Sequence, residues 1–99
     1  MEKLYKVCTN KGNKRIWIEG QILNDHQFTY KTTFDKTISD DEIVLRVVIG
    51  GKPQHTVSGN PQRPIIDLCG KYVTAFFGDA TQYKAKFWGN EITITKGSN

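Results

Sequence analysis

The sequence predicts a single, mostly β domain with two short helices. Three observations support this prediction: runs of alternating apolar and polar residues, turn residues between those runs, and a repeat of the pattern along the chain. A chain of 99 residues suits one compact domain, because so short a chain rarely supports two independent cores. We therefore expect one domain over residues 1–99.

The first half of the chain predicts four strands and a short helix. "KLYKVCT", a basic N-terminal strand at 3–9, precedes the turn residues "NKGNK" and the strand "RIWIE". "GQILNDHQF" is long enough for two helical turns, and "TYKTTFDKT" and "EIVLRVVI" have the β-branched content of strands. The residues "GGKP" at 50–53 then break the chain.

The second half follows the same order. "QHTVSG" could be a short strand, and "NPQRP" links it to the strand "IIDL". "GKYVTAFFG" predicts the second short helix, and "TQYKAKFW" and "EITITK" form a hairpin around Gly89-Asn90.

The two halves align residue by residue. At a shift of 50, Ile16, Ile18, Gly20 and Leu23 fall on Ile66, Leu68, Gly70 and Val73. After one residue of slippage the shift is 49, and Phe28, Phe34 and Ile43 fall on Phe77, Tyr83 and Ile92. Half-repeats of about 15–47 and 64–96 are each too small to bury an apolar face alone, so we expect them to pack together.

Two stretches resemble a known family. "FFGDATQYKAKFWGNEITI", with Gly78-Asp79 before the hairpin, resembles the SpoVT-AbrB swapped-hairpin family, and "RIWIEGQILNDHQF" is similar to its SymE-type relatives. Thr29-Tyr30 stands where the first half would have Gly-Asp. The resemblance implies a small closed barrel with pseudo-twofold symmetry, made by one chain instead of by two chains that exchange hairpins.

The charge distribution favours a polyanionic partner. The net charge is +4, and residues 1–15 contain five basic residues against the single acid Glu2. The resemblance implies DNA contacts just before the first strand and in the short helix, positions occupied here by Lys14, Arg15 and Lys71. We expect the nucleic-acid-binding residues to be Lys11, Lys14, Arg15, Arg63 and Lys71.

Trp17 is the second candidate contact. If Ile16 and Ile18 point inward, alternation places Trp17 on the outer face, where its counterpart in the second half is Asp67. An outward Trp beside basic residues could stack on a base or anchor a protein partner. Alternatively, the strand at 3–9 covers it.

No pattern indicates catalysis, a metal or a cofactor. His26 and His55 do not occupy equivalent positions and lie in no metal-ligand spacing, so we expect no enzyme activity. Cys8 and Cys69 form no CxxC pair and are expected to be reduced, buried thiols. No apolar run could span a membrane and no signal peptide is present, which predicts a cytoplasmic protein. We expect it to be a monomer or a homodimer.

Three functions fit these observations. The first is a small nucleic-acid-binding regulator of the AbrB-like class. The alternative is a protein-binding inhibitor from a phage or mobile element that blocks a host defence complex. The third is a SymE-like toxin associated with RNA.

Overall fold

The computed structural model describes residues 1–97 and confirms a mostly β chain with two short helices. Within these residues the elements are β1 (Glu2–Lys6), β2 (Cys8–Asn10), β3 (Asn13–Glu19), α1 (Gln21–Asp25), β4 (Thr33–Ile38), β5 (Glu42–Val47), β6 (His55–Thr56), β7 (Ser58–Asn60), β8 (Arg63–Cys69), α2 (Lys71–Phe77), β9 (Gln82–Trp88) and β10 (Glu91–Lys96).

The strands form two antiparallel sheets. Sheet A has the order β1-β9-β10-β5-β4-β6, and sheet B has the order β2-β3-β8-β7. Each sheet keeps two edge strands within residues 1–97, so the closed barrel implied by the family resemblance is wrong.

The chain itself passes from sheet A to sheet B at two corners, Val7 and Val57. The Val7 N–H donates to the Thr81 carbonyl at 2.9 Å, and the Val57 N–H donates to the Thr32 carbonyl at 2.8 Å. Val7 lies between β1 of sheet A and β2 of sheet B, and Val57 lies between β6 of sheet A and β7 of sheet B. Because the chain changes sheet at these two residues, the described strands form two sheets instead of one. The strand expected at 3–9 is therefore two strands, β1 and β2.

The register is symmetric about two central strand pairs. Trp17 lies opposite Asp67 in the β3–β8 pair, and Val44 lies opposite Thr93 in the β5–β10 pair. In each of these pairs the two residues are also equivalent in the repeat, by the shift of 50 for Trp17 and Asp67 and of 49 for Val44 and Thr93. When equivalent residues of two antiparallel strands lie opposite each other, a local twofold axis relates the strands. The first half supplies β1-β2-β3-α1-β4-β5 and the second supplies β6-β7-β8-α2-β9-β10. The correspondence thus also includes strands that precede residues 15 and 64.

The core lies between the two sheets. Alternation places one apolar set on the inner face of each sheet. These residues, all at most 2% exposed, are Ile16, Ile18, Ile66 and Leu68 from sheet B and Ile43, Leu45, Tyr83, Phe87, Ile92 and Ile94 from sheet A. Full burial of such a side chain contributes about 1.5–3 kcal/mol. Because each sheet contains strands of both halves, the core forms only when the two halves pack together.

The two helices contact β3 and β8 and add Leu23, Val73, Phe76 and Phe77 to the core. α1 has five residues and α2 has seven. Among residues 1–97, no helix has the length and apolar character that a membrane crossing requires.

Candidate nucleic-acid interface

Sheet B carries most of the predicted contact residues, at its two ends. Lys11 lies in the β2–β3 turn, Arg15 lies opposite Cys69 at the end of β8, and Lys71 begins α2 two residues later. The group of Lys11, Lys14, Arg15 and Lys71 is called the basic end below. Arg63 lies at the other end of sheet B. Since Cys69 is six positions from Arg63 along β8, Arg15 and Arg63 are about 20 Å apart at roughly 3.3 Å per residue.

The β2–β3 turn presents Lys11 to solvent. Asn10 pairs with Asn13 across a two-residue connection, and Lys11 and Gly12 both have positive φ, at 51° and 84°. Two such residues define the type I′ turn, which matches the twist of a hairpin. The turn holds Lys11 exposed beyond the end of the sheet.

Lys14 and Arg15 lie on opposite faces of β3. Lys14 is on the side of Ile16, where its backbone N–H donates to the Thr74 hydroxyl at 2.8 Å and its Nζ donates to the Ala80 carbonyl at 3.3 Å. Consecutive strand residues alternate in direction, so these two predicted contact residues do not share one face. Lys14 anchors β3 to α2 and the segment that follows it.

Arg15 is held on the outer face by Asp67. Its Nε and Nη2 donate to the two carboxylate oxygens at 2.7 and 2.8 Å, and its guanidinium carbon lies 4.3 Å from the centroid of the Trp17 ring. The hydrogen bonds to Asp67 raise the pKa of Arg15. A bidentate, stacked guanidinium has a fixed orientation, so Arg15 is a rigid group rather than a mobile surface cation.

Trp17 lies on the outer face, as alternation predicts, since Ile16 and Ile18 are fully buried. The side chain is partly exposed, and Arg15 lies over its ring. The surface at this point is therefore a combined Arg15–Trp17 platform rather than an open indole face.

The remaining two cations are more accessible. The Nε of Arg63 lies 3.2 Å from the Glu19 carboxylate, but the Arg63 side chain is 67% exposed and the pair is surrounded by solvent. Exposed pairs of this kind contribute about 0–1 kcal/mol, so Arg63 can exchange its partner at little cost. Lys71 is exposed on the first turn of α2, which has no acidic residue.

Asp67 and Glu19, the carboxylates that pair with Arg15 and Arg63, were not among the residues predicted from sequence. Trp88, 55% exposed on the outer face of sheet A, was also missed. The repeat contained the signal for Asp67, because equivalent residues face each other when two repeats pair antiparallel. Asp67 therefore lies opposite Trp17 and diagonal to Arg15.

The metal-ligand and thiol side chains are the remaining polar candidates. Over residues 1–97, no three His, Cys, Asp or Glu side chains are grouped so as to hold a metal ion. Cys8 is exposed and Cys69 is partly exposed, so the expectation of buried thiols is wrong. Both lie opposite Arg15, Cys8 on the edge strand β2 and Cys69 at the end of β8.

Comparisons with protein-family models, with curated proteins and with solved structures found no match.

Proposed function

We propose that this chain is a small nucleic-acid-binding regulatory protein with an AbrB-like, swapped-hairpin arrangement of its two halves. It acts by binding and not by catalysis, in the cytoplasm, as a monomer or homodimer. The swapped arrangement is supported by the two strand pairs that join the halves, β3–β8 and β5–β10.

The observation that carries the proposal is the gathering of Lys11, Arg15 and Lys71 at the basic end, where Lys14 points to the other face of β3. Residues from the β2–β3 turn, from β3 and from α2 meet there, although Lys71 is 60 positions from Lys11 in the chain. Lys11 and Lys71 supply flexible ammonium groups for phosphates, and Arg15 supplies a rigid one. Arg63, about 20 Å away along the same outer face, adds a further contact with the phosphate backbone of the nucleic acid.

The test is the salt dependence of binding to a short DNA duplex and to an RNA duplex of the same length, followed by fluorescence anisotropy. Binding should weaken as salt rises from about 50 to about 200 mM, with about 0.9 log unit of affinity lost per log unit of salt for each phosphate contact. The variant Lys11→Gln/Lys71→Gln should lower that slope by about 2, because it removes two contacts.

A matched control is Lys52→Gln/Lys86→Gln, which removes the same charge from an exposed loop and from the outer face of sheet A. It should keep most of the wild-type slope. If both double variants lowered the salt-dependence slope equally, nucleic acid would bind away from the basic end. The absence of binding to either duplex at low salt would refute the proposal.

A second candidate is a protein-binding inhibitor of a host defence complex. It is favoured by the outer face of sheet A, where Leu4 is 56% exposed and Trp88 is 55% exposed. A large exposed aromatic residue is a frequent anchor of protein interfaces. Capture of a protein partner that is lost in Trp88→Ala, without any binding to nucleic acid, would favour this candidate over the first.

A further inference from the structure

A cleft of about 500 Å³ lies between α2 and the end of the β4–β5 hairpin. Its lining comprises Ile38, Ser39, Asp40, Tyr72, Ala75, Phe76 and Lys96. The volume falls within the range of about 300–1,000 Å³ that is usual for small-molecule sites. The cleft is separate from the basic end, although α2 borders both.

The place that the pseudo-twofold axis relates to this cleft is filled. There Phe87 occupies the position of Ile38 and His26 that of Phe76, by the shifts of 49 and 50. The His26 and Phe87 rings pack with centroids 5.2 Å apart, and Phe87 is 1% exposed. In contrast, Ile38 is 42% exposed. The cleft is therefore a feature of the residues at this site and not a consequence of the fold.

Two cations also distinguish the cleft from its pseudo-symmetric counterpart. The Lys96 ammonium lies 5.1 Å from the centroid of the Phe76 ring, and the Lys36 ammonium lies 4.9 Å from that of Tyr72. At the counterpart of the cleft, Val47 stands at the position of Lys96 and the buried Ala85 at that of Lys36. The site that has Ile38 instead of a large aromatic residue is thus the site that has the two lysines.

We propose that this cleft binds a small amphipathic anion, an aromatic or branched aliphatic body that carries one carboxylate or sulfonate. The apolar surfaces of Ile38 and Phe76 would contact the body, and Lys96 and Lys36 would face the anionic group. Lys96 lines the cleft, and Lys36 lies behind it against the ring of the lining residue Tyr72, so two ammonium groups stand near the single lining carboxylate of Asp40 and the local charge complements an anion. This assignment does not depend on nucleic-acid binding.

The probe for the test is 8-anilinonaphthalene-1-sulfonate, an aromatic sulfonate whose fluorescence rises in apolar sites. The folded wild-type protein should bind it saturably, and amide chemical-shift changes should centre on α2 and the β4–β5 turn. Ile38→Phe, which introduces the residue of the other half, should weaken binding at least about tenfold by filling the cleft. Lys96→Gln should weaken it about two- to fivefold.

Lys84→Gln is the matched control, since it removes a lysine from the outer face of sheet A and should leave binding unchanged. Ala75→Leu fills the cleft from the side of α2 and replaces Ile38→Phe if that variant fails to fold. Near-UV circular dichroism of each variant excludes dye binding to a partly unfolded state. Wild-type affinity in a folded cleft-filling variant, or shift changes centred elsewhere, would overturn the proposal.

Discussion

At the scale of the residue, His55 shows how one side chain couples charge to packing. Its ring stacks on Phe34 with centroids 5.3 Å apart, and its Nε2 lies 2.9 Å from the Lys36 ammonium. An ammonium can only donate, so Nε2 accepts and the imidazole is neutral. Burial, and then the charge of Lys36, lower the pKa of His55, while Asp35 partly opposes them.

This arrangement predicts that the folded protein loses stability as pH falls below about 6.5, the pKa of an unfolded histidine. The unfolded chain then binds a proton that the folded chain resists until the lower folded pKa is reached. Thermal unfolding between about pH 7.5 and about pH 5.5 should therefore show a falling Tm. His55→Phe should reduce this pH dependence, and Lys36→Met should reduce it less. A wild-type slope in His55→Phe would contradict the assignment.

At the scale of the element, the two hairpins of sheet B are built on different backbone constraints. Gly59 in β7 has φ 87°, and a Cβ there would lie 2.3 Å from the Arg63 carbonyl oxygen. Gly12 in the β2–β3 turn has φ 84°, but a Cβ there would have no atom of residues 1–97 outside its chain neighbours within 4 Å. At both positions the positive φ is unfavourable for a residue that has a Cβ. At Gly59 the Cβ would in addition collide with the backbone of β8.

We therefore expect Gly12→Ala to cost about 1–2 kcal/mol in the free energy of unfolding, the usual cost of a left-handed residue that has a Cβ. Gly59→Ala should cost at least about 1 kcal/mol more, because β7 and β8 must also separate to admit the methyl group. Urea denaturation of the two variants measures the difference. Equal losses would show that the backbone around Gly59 adjusts freely.

At the scale of the whole molecule, the two halves depend on each other. Strand pairs β3–β8 and β5–β10 each join one half to the other, and both halves contribute to the core between the sheets. Each half alone would lose the partner on one side of both of its central strands. The molecule should consequently unfold in one cooperative step.

The two tryptophans test this cooperativity. Trp17 lies in sheet B and in the first half, whereas Trp88 lies in sheet A and in the second half. Trp17→Phe and Trp88→Phe each leave one fluorescent probe. In each variant the urea midpoint from fluorescence should equal the midpoint from far-UV circular dichroism. Midpoints that differ between the two methods would indicate that the sheets or the halves unfold separately.

The sequence predicted local features well because they depend on neighbouring residues. Alternation in "RIWIE" placed Ile16 and Ile18 inward and Trp17 outward, and the turn residues located the hairpins. The closed barrel was wrong because Val7 and Val57, where the chain changes sheets, carry no turn residue that would indicate a corner. The partners of Arg15 and Arg63 could not be found from local patterns, since they lie on the neighbouring strand and depend on the register between halves.

The pairing of Trp17 with Asp67 has a consequence for what a single chain can do. In a dimer of identical chains, the residue on the twofold axis must face its own copy, so an indole would meet an indole and a carboxylate would meet a carboxylate. One chain that contains both halves can place unlike residues there, and Asp67 lies opposite Trp17 and binds Arg15. The two sides of the molecule that the pseudo-axis relates are consequently different, and a partner can bind it in one orientation and with a stoichiometry of one.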